Sequence, residues 1–486
     1  MYILSDIYIY IMSACKKNLT FKEKELAILR AAVDLAEEKA GRKIAQSEEV
    51  KKIITIVENF LRKKKLICYG GTAINNILPV GDQFYNKDVE IPDYDFFSHS
   101  ALSDAKELAD IYADAGYTDV EAKSGVHHGT FKVYVNFIPV ADITYIPKAL
   151  FKSLSKESIK INGILYSPPN YLRMGMYLEL SRPRGDVSRW EKVLKRLILL
   201  NKNYPMQNPK CDHINFLRDF EGTQDDANDI YKIVRDSITD QGLVFFGGYA
   251  SSLYSKYMPK DKRKMFESKS PDFDVLSEDP ETSATIIKER LSDEGFEHVK
   301  IHKHGGFGEI ISEHYEVEVD GDTIAFIYKP LACHSYNVIR IAGKKVKVAT
   351  IDTMLSFFLA FLYADRPYYD HDRIICMAQY LFKVQAKNRL QQKGVLKRFS
   401  LQCIGKQKTL EDSRAEKSAM FEKLKGKRGT KAFDEWFLRY APGEKKAIKA
   451  TIAAKKEKKN KPKKKRTRTN KKRKGRKTRK KGLFGF

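Results

Sequence analysis

The chain has 486 residues, 42% of them hydrophobic and 11% aromatic, enough for about three domains of roughly 150 residues with real cores. Its formal charge of +27 is lopsided: Lys445 to Phe486 holds 22 lysines and arginines against one acid, Glu457, leaving residues 1–444 only mildly basic. Runs of 18 apolar residues are absent, which excludes a membrane-spanning helix, and six scattered cysteines without CxxC or Cys/His spacing exclude a zinc ribbon.

Met1 to Cys15 is apolar but lacks a basic leading region and contains Asp6, so it reads as a strand-like or poorly ordered leader rather than a signal peptide. Met12 is a possible alternative start. Thr20 and Glu23 form a capping box ahead of a helix whose apolar face is Leu26, Leu29, Ala32, Val33 and Ala36, with Gly41 as its stop. A second helix is expected over Glu48 to Lys64. Leu66 to Tyr69 reads as a short buried strand, and Gly70-Gly71 turn the chain into a helix starting near Thr72. Strands follow at Asp93 to Phe97, Phe131 to Phe137 and Val140 to Tyr145, the last two separated by Ile138-Pro139.

The second half repeats this order. CYGGTAINNI at Cys68 and PDYDFFS at Pro92 return as FFGGYASSLY at Phe245 and PDFDVLS at Pro271. Gly163 matches Gly343, and Arg182-Pro183 matches Arg366-Pro367, each pair following a predicted hairpin and helix. A repeat unit of about 180 residues is too long for a solenoid and marks a duplicated domain. The segment from Lys445 to Lys481 has almost no apolar residues and is expected to be disordered alone.

Chemistry concentrates in the first copy. Asp93 and Asp95 are two apart, so on a strand both carboxylates share one face and repel unless a cation lies between them. A hard, oxygen-liking ion such as magnesium suits the pair. Gly70 and Gly71 let backbone approach phosphates, the following helix aims its free N–H groups at them, and Thr72 adds a hydroxyl. Asp142, alone in an apolar strand, supplies a third carboxylate through which two metals could be shared. Lys132 and Lys148 are cations near this site, although a surface position is the default for each.

Gly70-Gly71-Thr72, Asp93-x-Asp95 and Asp142 resemble the pattern of the polymerase-β-like nucleotidyltransferase superfamily. With VNFIPVADITYIP, the Arg182-Pro183 segment and a second copy, the region from Lys51 to Lys383 is similar to poly(A) polymerase catalytic subunits of poxviruses and giant DNA viruses. The resemblance implies an α+β fold of two tandem nucleotidyltransferase domains, the first active and the second degenerate. These would be a helical N-terminal segment at 1–50, a catalytic domain at 51–205, a degenerate domain with following helices at 206–444, and a polybasic tail at 445–486. It further implies transfer of adenylate from ATP to RNA 3′ ends with two Mg2+ or Mn2+ ions. Asp93, Asp95 and Asp142 would hold the ions, and Gly70, Gly71, Thr72, Lys132 and Lys148 would meet the nucleotide. A viral factory or virion location, no membrane association and a homodimer are implied likewise. Uridylyl- or oligoadenylate-forming transfer, or an inactive RNA-binding scaffold, stay open at this point.

The second copy reads as inactive. Aligning Asp142 with Ala325 removes the third carboxylate, Asp320-Gly321-Asp322 reads as a hairpin turn, and Tyr249 replaces Thr72. His127-His128-Gly129-Thr130 is expected to be a turn, and Arg182, Arg184 and Arg189 to pair with Asp186 or Glu191 or to touch RNA. Trp190, Leu194, Leu197 and Ile198 are expected in the core. The cysteines read as buried or incidental thiols in a reducing compartment. The tail is expected to bind RNA without sequence preference, or to serve localisation or packaging.

Overall fold

The computed structural model describes residues 20–45, 47–86, 88–206, 211, 214, 216, 220–263 and 272–442. The leader, Met12 and the polybasic tail therefore lie outside the described residues.

Helix α1 (Phe21–Ala45) opens on the expected capping box, Thr20 N–H donating to Glu23 Oε2 at 2.7 Å. It passes through Gly41 instead of stopping there, because that glycine packs against the Val89 carbonyl, where a Cβ would collide. Helix α2 (Glu48–Lys64) is capped by Ser47 and buries Val50, Ile53, Val57, Phe60 and Leu61 along one stripe. Strand β1 (Ile67–Cys68) then leads into α3 (Gly70–Ile77), and β2 (Tyr94–Ser98) follows. Next come α4 (Ala101–Asp114), β3 (Val120–Ser124), β4 (Thr130–Val135), β5 (Ile138–Tyr145) and α5 (Lys148–Glu157). The β4–β5 turn falls at Asn136-Phe137, both at positive φ, and not at Ile138-Pro139 as the proline suggested. Pro139 instead sits inside β5 beside an irregularity in the β4 register, where a missing N–H is tolerated. The hairpin β6 (Ile159–Ile161) and β7 (Ile164–Tyr166), α6 (Pro169–Leu180) and α7 (Trp190–Asn203) close the first copy.

The second copy runs in the same order. Its elements are α8 (Gln224–Asp240), β8 (Val244–Phe245), α9 (Gly248–Ser252), α10 (Lys260–Arg263) and β9 (Phe273–Leu276). They continue with α11 (Pro280–Asp293), β10 (Val299–His304), β11 (His314–Val319), β12 (Asp322–Tyr328), β13 (His334–Ile341) and β14 (Lys344–Ala349). Helices α12 (Ile351–Phe361) and α13 (His371–Lys387), strand β15 (Cys403–Ile404), helices α14 (Leu410–Leu424) and α15 (Lys431–Phe437), and β16 (Arg439–Tyr440) complete the chain described.

The two sheets have the orders β16-β3-β4-β5-β2-β1-β7-β6 and β10-β11-β12-β9-β8-β14-β13-β15. Apart from the edge strands β16 and β15, each position in one sheet has its sequence counterpart in the other. The likeness extends to the turns: Asn162-Gly163 and Ala342-Gly343 are both left-handed pairs joining matched hairpins. Helix α6 packs on its counterpart α12 between the sheets, and all eleven residues of α12 are buried. A helix apolar nearly all round needs cover on every side, and that cover joins the two copies into one body.

After the second copy the chain returns to the first. β16 pairs antiparallel with β3, Lys106 bonds Asp434 at 2.6 Å, and His128 stacks on Trp436. The histidine-rich turn before β4 therefore packs against the C-terminal helix. Cys211–Cys376 and Cys333–Cys403 form disulfides, correcting the expectation of buried or incidental thiols and removing its support for a reducing compartment. Spacing could not show this, because the partners are 165 and 70 residues apart and only the fold brings them together. Cys68 stays free and buried on β1, beside Phe96 of β2. Among the described residues no helix is long and apolar enough to cross a membrane.

Candidate active site

The three aspartates meet through sheet register. Parallel pairing of β2 with β5 sets Asp95 directly beside Asp142, and Asp93 lies two residues before Asp95 on the same face. Burial, with the charges of Asp93 and Asp142, pushes the Asp95 carboxyl up to about 7. Burial and then Asp142 raise Asp93 in the same direction. Lys132, opposite Asp142 in the β4–β5 register, pairs with Asp142 Oδ2. Burial would lower the Lys132 ammonium, but the bond to Asp142 more than reverses this and leaves its pKa raised. Asp142 Oδ1 is buried with no hydrogen-bond partner.

A divalent cation fits this donor set. Three carboxylates share one face, one carries an orphaned buried oxygen, and one resists ionisation because it is buried beside two others. Lys132 supplies the local cation for Asp142. Its bond holds that carboxylate, and among the described residues no three His, Cys, Asp or Glu side chains already converge as a metal cluster.

The glycines divide the labour differently from the sequence reading. Gly70 has φ +74, and a Cβ there would strike Asp95 Oδ2, so this glycine admits the Asp95 carboxylate as well as turning the chain. Gly71 has no such backbone demand; a Cβ there would lie 2.5 Å from the Tyr85 hydroxyl and 2.9 Å from Arg196 Nη1. The Thr72 hydroxyl donates to the Asp93 carbonyl at 2.7 Å, which fixes the backbone of the Asp-x-Asp segment.

Gly70, Gly71, Thr72, Asp93 and Asp95 line a cleft of about 690 Å3, with Asp142 and Lys132 outside its lining on the neighbouring strands β5 and β4. Its lining is also cationic, with Arg189, Lys192 and Arg196 at the start and along one face of α7; Arg189 was a candidate from the sequence, but Lys192 and Arg196 were not. Helical spacing of three and four residues aims them at the Gly70-Gly71 turn while Val193, Leu197 and Leu200 bury the other face. Ile198, expected in the core, is exposed. Arg189 pairs with Glu179 at 3.1 Å, whereas Asp186 caps the following turn and Glu191 pairs with Lys195. Lys148 is exposed at the first position of α5, beyond the end of β5, and does not line the cleft.

The counterpart in the second copy is filled from within. Asp274 crowds Gly247, and the Arg373 guanidinium lies 3.7 Å from Asp272. Tyr249 packs into an aromatic cluster with Tyr231, Phe245 and Phe273. In the β9–β12 register Asp274 faces Phe326 and Phe273 faces Ala325. Phe326, not Ala325, thus occupies the place of Asp142. Asp320 and Gly321 form the expected turn at positive φ, and Asp322 accepts the Glu221 N–H at 3.0 Å.

Residues 55–186 match the family model of the poly(A) polymerase catalytic subunit. An African swine fever virus protein described as "Putative poly(A) polymerase catalytic subunit" is 35% identical over 173 residues, 34% of this chain and 36% of that one. The Acanthamoeba polyphaga mimivirus protein of the same description is 31% identical over 164 residues, 33% of this chain and 28% of that one. The matches thus span about a third of these viral relatives' length or less. The crystal structure of the Megavirus polyadenylate synthase superposes with a TM-score of 0.74 at 20% identity, covering 91% of each chain, and so shares the fold. The likeness expected from the glycine and aspartate motifs is found over the first copy in sequence and over nearly the whole chain in fold.

Proposed function

We propose that the protein extends RNA 3′ ends with adenylate from ATP, and that the first copy carries this activity while the second is a degenerate structural partner. The observation that carries the reading is the register of Asp95 with Asp142, with Asp93 on the same face and a cationic helix across the cleft. One side can hold divalent ions and the other a polyphosphate.

Asp93, Asp95 and Asp142 would together hold two ions. Bound magnesium or manganese would supply Lewis-acid stabilisation of charge on the transferring phosphoryl group. Gly70 keeps Asp95 close to the turn, and Thr72 fixes the Asp93 backbone. Arg189, Lys192 and Arg196 attract and orient the triphosphate, so pyrophosphate departs against positive charge. The RNA 3′-oxygen forms a bond to the α-phosphorus as the bond to the bridging oxygen breaks. The hydroxyl proton passes into the carboxylate cluster. Lys132 holds Asp142 and would have to yield it for that carboxylate to serve as an ion ligand; no covalent enzyme intermediate is required.

The test is incubation of purified protein and magnesium or manganese with labelled RNA and each nucleoside triphosphate separately. Long products with ATP alone support the proposal. Extension by UTP instead, or RNA binding without extension, would replace it with a uridylyl transferase or a scaffold.

A further inference from the structure

We infer that Asn75 and Tyr85 are positioning residues that hold Arg196 over Gly71 as the anchor for the outer phosphates of the nucleotide. The inference rests on the nucleotidyltransferase reading above but concerns parts of the chain outside its motifs.

The chain of contacts is continuous. Asn75, 1% exposed in the middle of α3, accepts the backbone N–H groups of both Phe84 and Tyr85 at 2.8 Å through its Oδ1. Two donors on one buried amide oxygen fix the loop that carries the aromatic pair. Arg196 Nη2 then donates to the Tyr85 hydroxyl oxygen at 2.7 Å. Its guanidinium carbon lies 4.7 Å from the Phe84 ring centre and 5.4 Å from that of Tyr85. Both aromatic residues meet edge to face.

What this clamp holds is a charge with no ion-pair partner among the described residues, the Glu179 carboxylate being coupled to it only through space. Among the described residues no carboxylate lies within ion-pair distance of Arg196; its close partners are rings and a phenol. The guanidinium is thus fixed by neutral groups, with Nη1 directed at the space above Gly71. Arginine's planar fork can then meet phosphate oxygens with little further ordering. Lys192, exposed one turn earlier, brings charge but has no such clamp.

The test is equilibrium binding of ATP, inorganic tripolyphosphate and AMP to the full-length protein with magnesium and without RNA. The Tyr85→Phe change removes the acceptor while keeping the ring. It should weaken ATP and tripolyphosphate about tenfold, as expected for a hydrogen bond to a charged group, and leave AMP within twofold with an unchanged melting temperature. R196K should weaken the same two ligands. Y85F with R196K should be no worse than R196K alone, because both act through one interaction. N75A should reproduce the Y85F pattern if it folds; Y85F decides otherwise. Tripolyphosphate that fails to bind the parent, Y85F that binds it like the parent, or equal losses for AMP and tripolyphosphate would each overturn the inference. Failure to extend RNA would defeat the proposed function and leave this binding result standing.

Discussion

Adjacent glycines should respond in opposite ways to the same change. Alanine at Gly70 must adopt φ +74, where a Cβ costs roughly 1–2 kcal/mol, and its methyl would also strike the Asp95 carboxylate. G70A should therefore lower the melting temperature by a few degrees. Displacing Asp95 by about an ångström should lower kcat on the order of 10²-fold. Alanine at Gly71 meets no backbone strain. Its neighbours are the ends of two side chains, the Tyr85 hydroxyl at 2.5 Å and Arg196 Nη1 at 2.9 Å, which can swing away. Relief of unfolded-chain entropy, about 0.4–1 kcal/mol, offsets the local disturbance, so G71A should melt within about two degrees of the parent. Its defect should appear as a raised KM for ATP with kcat nearly retained. Thermal unfolding in chelator and steady-state extension of a short RNA measure both effects. Equal thermal losses for the two variants, or full kcat in G70A, would refute this division of labour.

Changing Asp272 and Asp274 together to Asn should leave transfer within a few fold, since Phe326 and Arg373 already replace the third carboxylate and the cation; lost activity at unchanged melting temperature would contradict this. Deleting Lys445 to Phe486 should spare single-nucleotide addition and flatten the dependence of log RNA affinity on log salt, by roughly 0.7 for each phosphate the tail no longer neutralises. An unchanged slope would remove the tail from RNA binding. The Asp95 carboxyl, pushed up to about 7, holds a proton in the folded metal-free protein that the unfolded chain releases near pH 4. Asp95 should therefore make folding stability in chelator fall as pH rises from about 4 to 7, and D95N should reduce that fall, leaving the part due to Asp93. Parallel melting curves for D95N and the parent across this range would contradict the shift.

The duplication was legible because its markers are backbone demands. Paired glycines at a close approach, an Asp-x-Asp at a strand entry, and glycines after left-handed turns must recur wherever the same bends recur. The aspartate triad was legible because a lone Asp142 in an apolar strand requires a cation. The cationic wall was hidden for the opposite reason. Lys192 and Arg196 have the spacing of any solvated helix face, and only the placement of α7 beside Gly71 distinguishes them. Tyr85 sits in an irregular loop whose shape depends on Asn75, so no periodicity announced it. The one-residue error between Ala325 and Phe326 has a comparable origin, because strand register is settled by pairing and the matching Tyr and Pro downstream gave a different alignment. Return of the C-terminal helices to the first sheet depends on contacts such as His128 with Trp436, more than 300 residues apart in the chain.

The central claim is that Asp93, Asp95 and Asp142 form one metal-dependent site for adenylate transfer. Its most direct measurement is extension of a labelled RNA by ATP and magnesium or manganese, with the parent and the single variants D93A, D95A and D142A compared at equal folded fraction. The account predicts long products from the parent and nearly none from any of the three, with RNA binding retained in all. A D142A protein that extends RNA at the parent's rate would contradict it.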